Sequence, residues 1–174
     1  MTLVVRLRQD ADIAELGRVL VRVHDHDGYP VEGVADPESW LTPSREVSAW
    51  AALLDDRPIG QISLTRAAAD DDAALLWQRA TGGDINRLVI PVRLFVDPPH
   101  RRLGAGAQLM LAAHSYATGH NLAMAFDVML KDQAAIQLYE AAGSKRLGVI
   151  DHHHSDGKTE PAAVYVAPAE SIGG

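Results

Sequence analysis

The most informative segment of the sequence is Leu94-Phe95-Val96-Asp97-Pro98-Pro99-His100-Arg101-Arg102-Leu103-Gly104-Ala105-Gly106. Its apolar start and its later glycines predict a strand that leads through a glycine-containing loop into a helix. The first amides of a helix have no intrahelical acceptor and carry about half a positive charge, so they attract and hydrogen-bond phosphate. Glycine at positions 104 and 106 would let a bulky diphosphate approach the backbone. The segment therefore predicts an anion-binding site.

Two familiar phosphate loops do not fit this segment. A Walker loop ends in Gly-Lys-Ser or Gly-Lys-Thr, which is absent here, and the dinucleotide fingerprint needs a third glycine where this chain has Leu109. The basic triplet His100-Arg101-Arg102 adds positive charge beside the loop, although such a triplet is also common in solvated loops.

The flanking sequence predicts a βαβ unit. Residues 88–96 are strand-like, but Pro91 cannot donate to a sheet, so we expect a bulge or an early strand start near it. Residues 104–118 show a helical pattern, followed by a strand at residues 121–128. The predicted apolar face of that helix consists of Leu109, Ala112, Ala113 and Tyr116, with Gly119 as its C-terminal cap. A strand, a crossover helix and a strand in this order predict two parallel strands.

The rest of the chain predicts further strands and helices in one compact α/β (α+β) domain. The predicted elements are a strand at 3–7, a helix at 13–23 capped by Asp10, a loop at 24–45 with a short helix at 38–41, hairpin strands at 48–54 and 59–65 with an open turn type, a helix at 72–79, a helix from Asp132 to Gly143, and strands at 145–151 and 162–166. The C-terminal helix is expected to bury Ala135, Leu138, Tyr139 and Ala142 on one face.

Two motifs resemble the GNAT superfamily of N-acetyltransferases. The spacing Arg101-x-x-Gly104-x-Gly106 after a strand is similar to the acetyl-CoA pyrophosphate loop of that family, and Ala135-Ile136-x-Leu138-Tyr139-x-x-x-Gly143 resembles its later helix. The resemblance implies a single GNAT-like domain over residues 1–174, with a mixed, mostly antiparallel sheet and helices on both faces. It also implies transfer of an acetyl group from acetyl-CoA, as cosubstrate, to a primary amine of a small molecule or peptide.

The resemblance assigns site residues one by one. The implied acetyl-CoA contacts are Leu94, Phe95, Val96, Arg101, Arg102, Leu103, Gly104, Ala105, Gly106, Ala107, Asp132, Ala135 and Tyr139. Tyr139 is the implied catalytic residue, because its phenol could hydrogen-bond or protonate the departing thiolate. Two departures from the family pattern are Asp132, where many relatives have Asn, and Ser144, where an aromatic residue is common. An acid at 132 has no amide donor for the cofactor arm.

The residue that deprotonates the amine is left open by the sequence. The candidates are Asp97, Asp25, Asp27, His24, His26, His152, His153 and His154. Adjacent residues rarely converge on one ion, and the chain has no cysteine, so we expect no metal site.

Composition limits the remaining possibilities. The net charge of −7 argues against nucleic acid as a partner, and no apolar run approaches the roughly 18 residues of a membrane span. Without cysteine, and without signal-peptide features at its start, the chain is expected in the cytoplasm. Leu75-Leu76-Trp77 could form a homodimer contact. The alternative to an enzyme is a noncatalytic CoA-binding sensor that keeps the phosphate loop.

Overall fold

The computed structural model describes residues 1–153 and 157–169. The chain divides into two compact units, Met1–Thr65 with Pro91–Ala113, and Arg66–Ile90 with His114–Gly174. The prediction of one domain over residues 1–174 stays a prediction.

The described residues form seven strands and five α-helices. In chain order they are β1 (Leu3–Leu7), α1 (Ile13–Asp27), α2 (Pro37–Leu41), β2 (Glu46–Leu54), β3 (Arg57–Arg66), α3 (Asp72–Thr81), β4 (Leu88–Val96), α4 (Ala105–Gly119), β5 (Ala123–Met129), α5 (Gln133–Ala141), β6 (Lys145–His153) and β7 (Thr159–Val166). Short 3₁₀ turns lie at Asp10–Asp12, Ile85–Arg87 and Pro98–His100.

The strands follow the order β1-β2-β3-β4-β5-β7-β6. β4 and β5 are parallel and pair through Leu88 with Ala123 and Val89 with Met124. The β1–β2, β2–β3, β5–β7 and β6–β7 pairs are antiparallel. The predicted mixed, mostly antiparallel sheet with a βαβ unit is therefore confirmed. Helices on both faces stay a prediction.

The first unit has its core under α1. The buried positions of this helix recur every three or four residues, which places them on the one stripe that faces the interior. The core cluster consists of Leu16, Val19, Leu20, Val23, Leu41, Ala51, Leu53 and Phe95. A two-residue turn joins β2 to β3, and both of its residues, Asp55 (φ 49°) and Asp56 (φ 66°), have the left-handed backbone of a type I′ turn.

The boundaries of α1 differ from the prediction. Asp10 does not cap the helix, because a 3₁₀ turn precedes it and the Asp12 carboxylate accepts the backbone N–H of Gln9 at 2.7 Å. The helix also continues through residues 24–27, which were predicted as loop, and ends where Gly28 takes φ 74°. The acidic and histidine-rich end of α1 is thus helical, because the left-handed residue that ends the helix is Gly28.

The irregularity expected near Pro91 lies two residues later. β4 continues through Pro91, and Arg93 has φ 57° inside the strand. The Arg93 guanidinium lies 4.5 Å from the ring centroid of Trp40 and donates to the Trp40 carbonyl. These contacts attach the residue at the irregularity to α2.

The second unit corrects two predicted helix features. α4 ends at Gly119, but the left-handed residue is Asn121, which takes φ 54° two residues later while the Leu122 N–H donates to the Ala117 carbonyl at 2.8 Å, so Gly119 is not the cap. In α5 the buried face is shifted: Ile136 is buried, whereas Leu138 is 54% exposed. Ala142 is exposed as well and follows the last helical residue. The prediction was wrong for both, because the apolar stripe of α5 is centred on Ile136, with Ala135 and Tyr139 partly buried beside it.

The predicted apolar face of α4 is buried only in part. Leu109 and Ala113 are fully buried, but Ala112 and Tyr116 are partly exposed, and Ala117 completes the buried stripe.

Trp77 in α3 is only 6% exposed and belongs to the interior of its unit. Its ring therefore gives no support to the homodimer contact predicted at Leu75-Leu76-Trp77, which stays a prediction. Among the described residues, none of the helices combines the length and the apolar character needed to cross a membrane.

Candidate functional site

A cleft of about 430 Å³ lies where β4 leads into α4, in the first unit. It is lined by Leu94, Phe95, Val96, His100, Arg101, Arg102, Gly104, Ala105, Gly106 and Ala107. Apart from His100, each of these residues was predicted from the sequence as an acetyl-CoA contact. Leu103, also predicted, is 38% exposed and does not line the cleft.

The loop between β4 and α4 presents its backbone to this cleft. After the 3₁₀ turn at Pro98–His100, Arg102 takes φ 68° and Gly104 takes φ 88°, a conformation that costs glycine nothing. α4 then begins, and the Gln108 N–H donates to the Gly104 carbonyl at 3.0 Å. The N–H groups of residues 105–107, which come before Gln108, have no i−4 acceptor within the helix and point out of its N-terminus.

The loop has room for a diphosphate. A Cβ added at Gly104 or Gly106 would meet no atom within 4 Å, so both positions face open space. Ala105 between them is buried. Free amides, a helix dipole and an unobstructed approach are together the features that bind phosphate groups at a helix N-terminus.

Arg101 is held by the protein itself. Its Nε donates to the Val96 carbonyl at 3.1 Å, and its Nη1 and Nη2 lie 3.3 and 2.5 Å from the carboxylate oxygens of Asp27. The Arg101 and His26 hydrogen bonds lower the pKa of Asp27 to about 2. Asp27 is therefore ionised at neutral pH and is a poor proton acceptor, which weakens its candidacy as the base.

The other acidic and histidine candidates in the first unit are engaged in structural contacts. Both carboxylate oxygens of Asp97 accept from Arg22, at 3.1 and 2.8 Å. His24 Nδ1 lies 3.1 Å from the Pro30 carbonyl, and His26 Nδ1 lies 2.5 Å from Asp27. Asp25 is exposed on α1. None of these residues lines the cleft at the start of α4.

In the second unit, His152 pairs with a carboxylate that the sequence reasoning missed. His152 Nδ1 lies 2.7 Å from Oδ2 of Asp127 on β5. At the N-cap of α3, burial raises the pKa of Asp71, and the charge of Asp127 adds to that shift. The signal in the sequence was a single carboxylate within the otherwise apolar strand Ala123–Met129. His153 lies 4.0 Å from Asp72, and His154 lies outside the described residues.

Tyr139 lies on α5 in the second unit and is partly exposed. Its ring packs edge-on against Phe126, with centroids 4.8 Å apart. Burial, and then the negative charge of Asp132, raise the pKa of the Tyr139 phenol. The phenol thus stays protonated at neutral pH and can donate a hydrogen bond.

Asp132 caps α5. Its Oδ1 accepts the backbone N–H of Ala135 at 3.1 Å, so this carboxylate and this amide satisfy each other at the start of the helix. The acetyl-CoA contacts implied for these two residues stay a prediction. Among residues 1–153 and 157–169, no group of three or more His, Cys, Asp or Glu side chains is placed to hold a metal ion.

Comparison with known proteins identifies a family. Residues 19–143 match the family model described as the acetyltransferase (GNAT) family. None of the curated proteins compared matches the chain in sequence.

Solved structures share the fold at low sequence identity. An acetyltransferase of the GNAT family from Streptococcus pneumoniae superposes with a TM-score of 0.68 at 17% identity, over 95% of this chain and 98% of that one. The ribosomal-protein-S18-alanine N-acetyltransferase from Escherichia coli gives 0.68 at 15% identity, over 99% and 97%. Arabidopsis thaliana NAA60 in complex with acetyl-CoA gives 0.70 at 17% identity, over 99% and 100%. At these identities the likeness shows the fold alone.

Proposed function

Since this chain belongs to the GNAT family of acetyltransferases, we propose that it transfers the acetyl group of acetyl-CoA to a primary amine of a small molecule or a peptide. The observation that carries the proposal is the cleft at the start of α4, where Gly104 and Gly106 leave the backbone open to a diphosphate. The family model spans this loop and the later helix that bears Tyr139. The complex of a structural neighbour with acetyl-CoA adds support for the cosubstrate.

The proposed binding mode follows from the loop. The backbone of residues 104–107 would hydrogen-bond the pyrophosphate, and the exposed Arg102 would add positive charge beside it. The strand residues Leu94 and Val96 would contact the pantetheine arm through their backbone, as one strand contacts another.

The proposed chemistry is direct attack of the amine on the thioester carbonyl. A C–N bond forms, the C–S bond breaks, and the thiolate leaves with its electron pair while the amine gives up a proton. Tyr139 would donate a hydrogen bond, and finally a proton, to the departing sulfur. Its raised pKa keeps the phenol protonated, and so makes it a hydrogen-bond donor at neutral pH. The residue that accepts the amine proton is not assigned.

The proposal is tested by measuring release of free CoA thiol from acetyl-CoA in the presence of a panel of amines. We expect release that depends on both the protein and an amine, with a stoichiometric amide product. Binding of acetyl-CoA without thiol release across small-molecule and peptide amines would instead favour a noncatalytic CoA-binding module. Absence of binding would contradict both functions.

A further inference from the structure

The ion pair between Asp27 and Arg101 connects the end of one helix to the phosphate-binding loop. Asp27 is the last residue of α1, and Arg101 stands three residues before Gly104. We propose that Asp27 is a positioning residue for acetyl-CoA: its carboxylate holds Arg101, and Arg101 holds the turn that presents the first amides of α4. This inference rests on the proposed function for the identity of the ligand.

The geometry fixes the guanidinium from two sides. Nε donates to the carbonyl of Val96, the last residue of β4, while Nη1 and Nη2 both face the Asp27 carboxylate. A guanidinium is planar, and its donors leave in fixed directions, so these contacts define its position and its plane. Arg101 therefore ties its own turn to the ends of β4 and α1 together.

The same contacts limit what Arg101 can offer a phosphate. The donors named above face protein oxygens, and the Asp27 charge offsets that of the guanidinium. Both side chains are about one third exposed, which leaves the pair only partly screened by water. We infer that attraction of the phosphates comes from the amides at the start of α4 and from Arg102, whereas Arg101 sets the shape of the turn.

The two roles for Arg101 predict opposite effects when Asp27 loses its charge. If Arg101 positions the loop, Asp27→Asn weakens acetyl-CoA binding, because the turn is less well ordered. If Arg101 binds phosphate directly, the same change frees its charge, removes a nearby negative charge, and tightens binding. The sign of the change in KM for acetyl-CoA decides between them.

The experiment measures kcat and KM for Asp27→Asn with acetyl-CoA and with S-acetylpantetheine, which lacks the phosphates. We expect KM for acetyl-CoA to rise about three- to fivefold, the range of a partly exposed ion pair, with kcat within twofold. KM for S-acetylpantetheine should not change. Glu160→Gln is the matched control, since Glu160 pairs with Lys131 at 3.0 Å and has similar exposure. It should leave KM for acetyl-CoA unchanged.

A double-mutant cycle adds a second criterion. Arg101→Gln should raise KM for acetyl-CoA about as much as Asp27→Asn, and the double variant should be no worse than either single one, because both changes break the same link. Additive effects, or an unchanged or lowered KM in Asp27→Asn, would overturn the proposal.

Limited proteolysis separates this inference from the proposed function. Trypsin cleaves after Arg101 and Arg102, both in the exposed turn. Asp27→Asn should speed this cleavage several-fold without any ligand, whereas Glu160→Gln should not. An equal cleavage rate in Asp27→Asn and the wild type would overturn the positioning role. Failure of the wild type to bind acetyl-CoA, with faster cleavage of the variant, would contradict the proposed function alone.

Discussion

Arg22 on α1 holds the carboxylate of Asp97 through two hydrogen bonds, of 3.1 and 2.8 Å, at the end of β4. Asp97 is 4% exposed, and its backbone N–H donates to the Ile59 carbonyl at 2.7 Å. The residue therefore fastens the start of the loop between β4 and α4 to both α1 and β3. This contact explains why an acid stands there, and it argues against Asp97 as the base that accepts the amine proton.

Asp97→Asn should lower the free energy of unfolding by about 1.5 kcal/mol, because a buried charge-assisted contact is replaced by a weaker neutral one. Urea unfolding measures this value. Asp25→Asn, an exposed change on α1, should shift it by no more than about 0.5 kcal/mol. A stability equal to that of the wild type would show that the Arg22 contact contributes nothing.

Gly106→Ala should separate stability from binding. A Cβ at this position in the first turn of α4 meets no protein atom, so the helix should gain up to about 1 kcal/mol from the loss of glycine. The same methyl group would project into the cleft, and KM for acetyl-CoA should rise about tenfold. Gly119→Ala, at the other end of α4, also meets no atom. It should leave KM for acetyl-CoA unchanged. An equal KM in both variants would show that the phosphates do not bind at Gly106.

The contribution of the Asp27 ion pair to the free energy of unfolding should be lost at acidic pH. The pKa of its carboxyl is about 2 in the folded protein, against 3.8 for the free side chain, so ionisation favours the folded state. The stability difference between wild type and Asp27→Asn, about 1 kcal/mol for a partly exposed pair, should be complete above about pH 5. It should fall as the pH drops through 4 and vanish below 2. A difference that keeps its full size at pH 2 would exclude the carboxylate charge as its source.

Tyr139→Phe should lower kcat for thiol release about 100-fold while KM for acetyl-CoA stays within twofold, since the phenol acts only as the sulfur departs. In the wild type this contribution should persist to a pH above 10, because burial and Asp132 raise the pKa of the phenol. Tyr165→Phe is the control. The Tyr165 hydroxyl bonds Glu140 and Arg146, so its loss should reduce stability and leave kcat unchanged. Normal turnover by Tyr139→Phe would contradict the role of Tyr139 as the acid that protonates the departing thiolate.

The parts of the fold that the sequence predicted are those set by local patterns. Period-two strands, the glycine loop and the βαβ order depend on neighbouring residues, and their positions were confirmed to within a few residues. The residues that the family resemblance implied between 94 and 107 line one cleft apart from Leu103, whereas His100 was not predicted to lie there.

The parts that were missed depend on contacts between distant residues. The partner of Arg101 is 74 positions away at Asp27, and that of His152 is 25 positions away at Asp127. Composition and spacing do not encode such pairs. The capping residue of α4 was missed for another reason, because Asn121 supplied the left-handed backbone that was expected at Gly119.

The most direct test compares the thermal stability of the wild-type protein with acetyl-CoA and with S-acetylpantetheine. Saturation with acetyl-CoA at about 100 times its dissociation constant should add roughly 2.7 kcal/mol and raise the melting temperature. S-acetylpantetheine at the same concentration should add far less, because it offers no phosphates to the amides at the start of α4. Equal shifts with both ligands, or no shift with acetyl-CoA, would contradict a phosphate-binding cleft at Gly104 and Gly106.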